Sequence, residues 1–132
     1  MQKNKEILNL SWNRFNEKGC QVVVNVIRDN PDAKILVLNA CNLTTCKVKI
    51  IADALPGSHI RTLFLNWNDI SSEGLAYIEE IIPKTSLTEL HLSHNPCTQF
   101  RNNELPPSTE KLLRKNAFKS YGKKWGTDTP MN

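Results

Sequence analysis

The sequence predicts a short α/β solenoid: stacked strand–turn–helix units with a parallel sheet on one side and helices on the other. Three observations carry this expectation. A motif of the form L-x-L-x-x-[N/C]-x-apolar occurs four times, at "LNLSWNRF" (8–15), "LVLNACNL" (36–43), "LFLNWNDI" (63–70) and "LHLSHNPC" (90–97). The motif starts lie 28, 27 and 27 residues apart. After each of the first three, apolar residues four apart recur at one shared offset, marking one face of a helix. Self-similarity at a fixed period of this size is what stacked units of equal geometry produce.

Each motif supplies a strand, because leucines two apart project from the same face of an extended chain. Leu8 and Leu10, Leu36 and Leu38, Leu63 and Leu65, and Leu90 and Leu92 therefore face a common core. The helices follow at Val23 and Ile27, at Ile51 and Leu55, and at Ile78 and Ile82, with Gly19 and Gly74 four residues earlier in the first and third units. Three positions upstream of the strands stand Lys5, Ala33, Ile60 and Leu87, so a leading large apolar residue is clear only in the last two. Val24, where later units carry Ala52 and Glu79, widens the apolar flank of the first helix and suggests that the N-terminal end of the stack is covered. After the fourth motif the repeat stops. "NELPPSTEKLLRKNAFKSYGKKW" begins with a Pro-Pro break, offers Ser108 or Thr109 as a helix cap and Gly122 as a stop, and aligns Leu113, Ala117 and Tyr121 along one stripe. The expected organisation is a solenoid over 1–104, a capping helix over 105–122 and a flexible basic tail over 123–132.

The period, and the alternation of Asn with Cys41 at one motif position, resemble the ribonuclease-inhibitor-like class of leucine-rich repeats across residues 5 to 97. That resemblance implies strands on the concave side of an arc and helices on the convex side. It also casts Asn13, Asn68 and Asn95 as inward residues whose amides satisfy backbone groups where the chain leaves the strand, with Cys41 as the small buried alternative.

If the strands stack in register, their outward positions form rows. One row reads Ile7, Ile35, Thr62, Glu89 and the next Asn9, Val37, Phe64, His91. The third is Ser11, Asn39, Asn66, Ser93, and the rim row is Trp12, Ala40, Trp67, His94. Trp12, Ile35, Val37, Phe64 and Trp67, with Asn66 and His91 at the margin, make an apolar, aromatic patch with polar surroundings, the composition of an interaction surface. The same rows admit two blander readings, cover by the protein's own C-terminal segment and simple strand preference for branched side chains.

Charge is distributed unevenly. The net +4 arises wholly from the last 28 residues, since residues 1–104 carry 11 Lys+Arg against 11 Asp+Glu. Lys111, Lys115 and Lys119 share one stripe of the last helix, and Lys123 and Lys124 follow it. These lysines are candidates for contact with RNA phosphates or an acidic surface, although a solvated face is the commoner use of such a stripe.

Catalytic signals are missing from the sequence. It holds no glycine-rich phosphate loop, nucleophile elbow or zinc-protease motif. His91, His94 and Cys97 sit three apart, yet the alignment assigns Cys97 to a core position beside Phe15, Leu43 and Ile70, and His91 to the sheet face, so no metal or other cofactor is expected. The N-terminus lacks the apolar stretch of a signal peptide and no run reaches membrane-spanning length, which leaves the Asn9 and Asn42 sequons without consequence. Four unpatterned cysteines fit reduced thiols in an intracellular, cytoplasmic setting. The expectation is a non-enzymatic module that binds a protein through the concave face. The alternative is a small subunit of a large ribonucleoprotein or cytoskeletal assembly, anchored partly by its basic tail.

Overall fold

Each Leu-centred motif forms a strand of three residues. These are β1 (Ile7–Asn9), β2 (Ile35–Val37), β3 (Thr62–Phe64) and β4 (Glu89–His91). In the computed structural model, which describes residues 6–125 with side chains through Lys119, all four pair in parallel in the order β1-β2-β3-β4. The register aligns Ile7 with Ile35, Thr62 and Glu89, and Asn9 with Val37, Phe64 and His91. Leucines on the inner face are almost fully buried, from Leu36 and Leu38 through Leu63 and Leu65 to Leu90 and Leu92.

The helices return the chain along the other layer: α1 (Glu17–Asp29), α2 (Thr45–Ala52), α3 (Ser72–Ile81) and α4 (Pro107–Trp125). Their starts repeat one device. Asn16, Thr44 and Ser71 each sit in extended backbone and accept a hydrogen bond from an N–H three residues on, at Gly19, Lys47 and Gly74. Val23, Val48, Ile51 and Ile78 then face the strand leucines. Two helices are shorter than the apolar spacing suggests. Leu55 lies in the turns after α2, and Ile82 opens a 3₁₀ turn (Ile82–Lys84) in which Pro83 stops α3, but both remain buried.

Side chains stitch each unit to the one before it. The Asn68 carbonyl oxygen accepts from the N–H groups of Cys41 and Leu43, and its amide donates to the Leu38 and Leu65 carbonyls. Asn95 repeats this one unit later, accepting from Ile70 N–H and donating to Leu65 and Leu92. Cys41, buried, directs its thiol to the Leu10 carbonyl at 3.2 Å. Asn13 differs from the expectation of an inward residue: it is exposed and bonds only its own turn, at Leu10 and Ser11. Among the described residues, no earlier unit stands before the first for its amide to reach.

Val24 also takes a different role. It is buried, and its equivalents Ala52 and Glu79 mark the helix flank turned toward the following unit, not the N-terminal end. Glu79 is half-buried there, accepting from Ser108 at 3.0 Å and from Thr109. Ser108 and Thr109 thus tie α4 to α3 instead of capping their own helix, which opens with Pro107 at its first position. Asn116 completes the closure, donating to the carbonyls of Ile82 at 2.8 Å, Leu87 at 2.8 Å and Thr85 at 3.3 Å. Leu113 is buried and Ala117 half-buried, while the Tyr121 side chain lies outside the described residues. The helix continues through Gly122 to Trp125; glycine costs a helix only about 1 kcal/mol, and lysines suit its last turn.

Candidate protein-binding face

Four short strands leave little room for a deep site, so what the face offers is set by its rows. Ile7 is 53% exposed at the N-terminal edge, and Ile35 and Val37 are half-buried beside it. Phe64 is half-buried because His91 of the next strand stacks on it, with ring centres 4.2 Å apart and planes 4° from parallel. His91 Nε2 lies 2.9 Å from a Glu89 carboxylate oxygen, whose partner oxygen accepts from Thr62 at 3.5 Å. The ring of His91 is therefore held from two sides.

At the rim the chain makes the same turn four times, and Trp12, Ala40, Trp67 and His94 occupy it with φ of 68°, 55°, 61° and 60°. This left-handed conformation brings Cβ against the following carbonyl and is an outlier for bulky residues, at a cost of roughly 1–2 kcal/mol. Trp12 is nevertheless 81% exposed and Trp67 60% exposed. Trp67 carries His94 stacked on one face, with ring centres 3.8 Å apart. Ala40, between the tryptophans, leaves a gap in the row.

The third row has a structural role that its polar residues concealed in the sequence. Ser11 Oγ accepts the Asn39 N–H at 2.9 Å, Asn39 Oδ1 the Asn66 N–H at 2.8 Å, and Asn66 Oδ1 the Ser93 N–H at 2.8 Å. Asn66 is thus half-buried and engaged in cross-strand stitching, although the sequence placed it at the margin of the patch. A short polar residue at one offset in all four motifs was the signal for this second ladder. Beyond β4, Asn103 Oδ1 accepts the His94 N–H at 2.9 Å.

His91, His94 and Cys97 do not converge. The two rings stack on different aromatic partners, and Cys97 is buried in the core, where desolvation pushes its thiol up to about 11. Burial likewise raises Cys20 and Cys41. Lys111, Lys115 and Lys119 are all exposed on α4, joined there by Arg114 and by Phe118, which is 51% exposed. The side chains of Lys123 and Lys124 lie outside the described residues. Among those residues, no helix is long and apolar enough to cross a membrane.

Comparison with known proteins agrees with this architecture. A family model described as "Leucine Rich repeat" matches residues 58–78 and 84–96, the third unit and the fourth strand. A solved structure titled "Leiomodin-1 Actin-Binding Site 2 (ABS2)" is similar with a TM-score of 0.69 and 16% identity, over 92% of this chain and 86% of that one. At that identity the likeness concerns the fold. The repeated motif, the ordered parallel strands and these two matches together show a leucine-rich-repeat fold.

Proposed function

We propose that this protein is a non-enzymatic interaction module that captures a partner protein on its concave face, with Trp12, Phe64 and Trp67 as anchors and Ile35, Val37 and His91 around them. The single observation that carries the reading is the placement of Trp12 and Trp67, exposed and in left-handed backbone. Asn would occupy that turn at less cost and would not offer apolar surface to water. Retaining Trp at two of four equivalent turns, against stability, fits a surface kept for binding. Stacking by His91 and His94 holds Phe64 and Trp67 in place before binding, which reduces the ordering cost of association.

The test is native affinity purification of the tagged protein and of its Trp67→Ala and Phe64→Ala variants, with salt-washed and nuclease-treated samples in parallel. A stoichiometric protein retained through both treatments and lost from the variants supports the reading. An affinity loss of about 1–4 kcal/mol is expected for such anchors. Unfolding of either variant in place of a binding loss would make the patch internal core and overturn it.

A second reading, a small component of a cytoskeletal or ribonucleoprotein assembly anchored in part through Lys111, Lys115, Lys119, Lys123 and Lys124, has one observation in its favour for the cytoskeletal case. The similar solved structure is named for an actin-binding site. Actin is therefore the first protein to assay: co-sedimentation with filaments and gel filtration with monomers, each repeated with Trp67→Ala. Recovery of RNA with many basic proteins would favour the ribonucleoprotein case.

A further inference from the structure

The body of the solenoid is neutral in sum, yet two adjoining grooves are lined by cations. A shallow groove runs along α4 beside Pro83, and among the described residues its ionisable lining, Lys111, Arg114, Lys115 and Lys119, is all basic. Its floor is apolar, made by Leu112, Ala117, Phe118 and Pro83. At Pro83 and Lys119 it meets a second groove, on the edge where the chain enters the strands. There Lys34, His59, Arg61 and Lys84 join Lys119, and among the described residues that lining also contains no carboxylate. Lys34 and Arg61 occupy equivalent positions in adjacent units, linked by the Arg61 N–H donating to the Lys34 carbonyl at 2.8 Å. Cations of the solenoid and of α4 therefore form one continuous basic edge, remote in sequence from one another and distinct from the concave rows.

We propose that this edge docks an acidic amphipathic protein segment, its apolar residues seated on Leu112, Ala117 and Phe118 and its carboxylates toward the flanking Lys and Arg side chains. Charge complementarity sets the sign of the ligand, and the floor sets its class. An extended nucleic acid needs stacking platforms along its path, and this floor supplies one aromatic ring among aliphatic groups. A peptide helix with apolar residues on one face and acids beside them matches both features. Four clustered cations also predict rapid, salt-sensitive capture. This surface does not depend on the concave-face reading.

The test uses fluorescence anisotropy with the full chain and three labelled probes. These are a short Glu/Leu peptide with leucines at helical spacing, a composition-matched peptide with that spacing scrambled, and oligouridylate. The expected result is binding of the patterned peptide, weaker by about tenfold or more for the scrambled one. Lys111→Glu combined with Lys115→Glu should abolish it, Phe118→Ser should weaken it about tenfold, and Trp67→Asn should leave it unchanged. All four substituted side chains are exposed, and circular dichroism checks that each variant is folded. Equal binding of patterned and scrambled peptides, tighter binding of oligouridylate, or no peptide binding at submillimolar concentration by the folded protein would each overturn the proposal.

Discussion

The side-chain oxygen of Asn68 accepts the backbone N–H of Cys41 at 2.9 Å, joining the turn of one repeat to the turn of the next. The same amide also serves Leu43, Leu38 and Leu65, so one side chain satisfies backbone groups of two units. Removing it leaves several of these groups without partners, at about 1–3 kcal/mol for each one that water cannot reach. Asn68→Ala should therefore lower unfolding free energy by at least about 2 kcal/mol in urea titrations. Asn13→Ala, at the equivalent position, should cost less than about 1 kcal/mol because Asn13 is exposed and bonds only its own turn. Equal losses would show that the amide acts within its turn and not between units.

The left-handed turns give a second expectation. Trp12→Asn replaces a poorly suited residue with one that tolerates φ near 68°, and should raise stability by about 1 kcal/mol. Trp67→Asn gains the same relief but loses the His94 stack, worth about 0.5–1.5 kcal/mol, so its melting temperature should hardly move. Thermal melts of both variants, read beside partner binding, separate anchors from core. A large fall in either melting temperature would contradict the exposed role.

Gly74 should reverse the usual helix rule. Alanine normally stabilises a helix relative to glycine by about 1 kcal/mol. At Gly74 a Cβ would sit 2.8 Å from Ile70 Cγ2 and 3.0 Å from Thr45 Oγ1, where α3 packs closely on the start of α2. Gly74→Ala is expected to destabilise by about 1–3 kcal/mol. Gly57→Ala meets nothing within 4 Å and should be neutral or stabilising by up to about 1 kcal/mol. Chemical denaturation of the pair checks the sign.

Thiol chemistry should divide the cysteines by burial. Cys46 is exposed, while Cys20, Cys41 and Cys97 are buried. A disulfide-exchange reagent should titrate one thiol quickly in the folded protein and four after unfolding. Cys97 adds a pH dependence. Its folded thiol keeps its proton up to about 11, whereas the ordinary value is 9.0. The unfolded chain loses that proton first, so Cys97 makes stability fall as pH rises from about 9 toward 11. Cys97→Ala should flatten that part of the stability–pH curve.

Much of the fold was legible because the motif imposes a two-residue alternation and a constant period, and both survive as strand register. The rows through Ile35 and Phe64 followed from spacing alone. Relations at the ends of the stack were harder to read. Glu79 looks like an ordinary surface acid until α4 places Ser108 and Thr109 over it, and Asn116 looks like a helix-surface amide until the carbonyls of Ile82 and Leu87 meet it. Neither partner is separated from its mate by the repeat period, so periodicity carries no trace of the pairing. The mixed standing of Asn66, on the face yet bonded across it, is invisible for a related reason. Alternation gives the direction of a side chain but not whether the neighbouring backbone comes within reach.

The amide ladder has a direction, and that bears on how the chain can be made. Asn68 completes the second turn, Asn95 the third, and Thr98 and Asn103 complete the fourth by bonding the Leu92 carbonyl and the His94 N–H. The inward groups of each turn are finished by residues that follow it, whereas the outer ladder through Ser11, Asn39 and Asn66 serves N–H groups of the next unit. As the chain emerges from a ribosome, a turn must wait for about one more repeat before its inward groups find partners. Completion of these inward groups thus runs backward along the described units, and the loop and helix after β4 close the fourth.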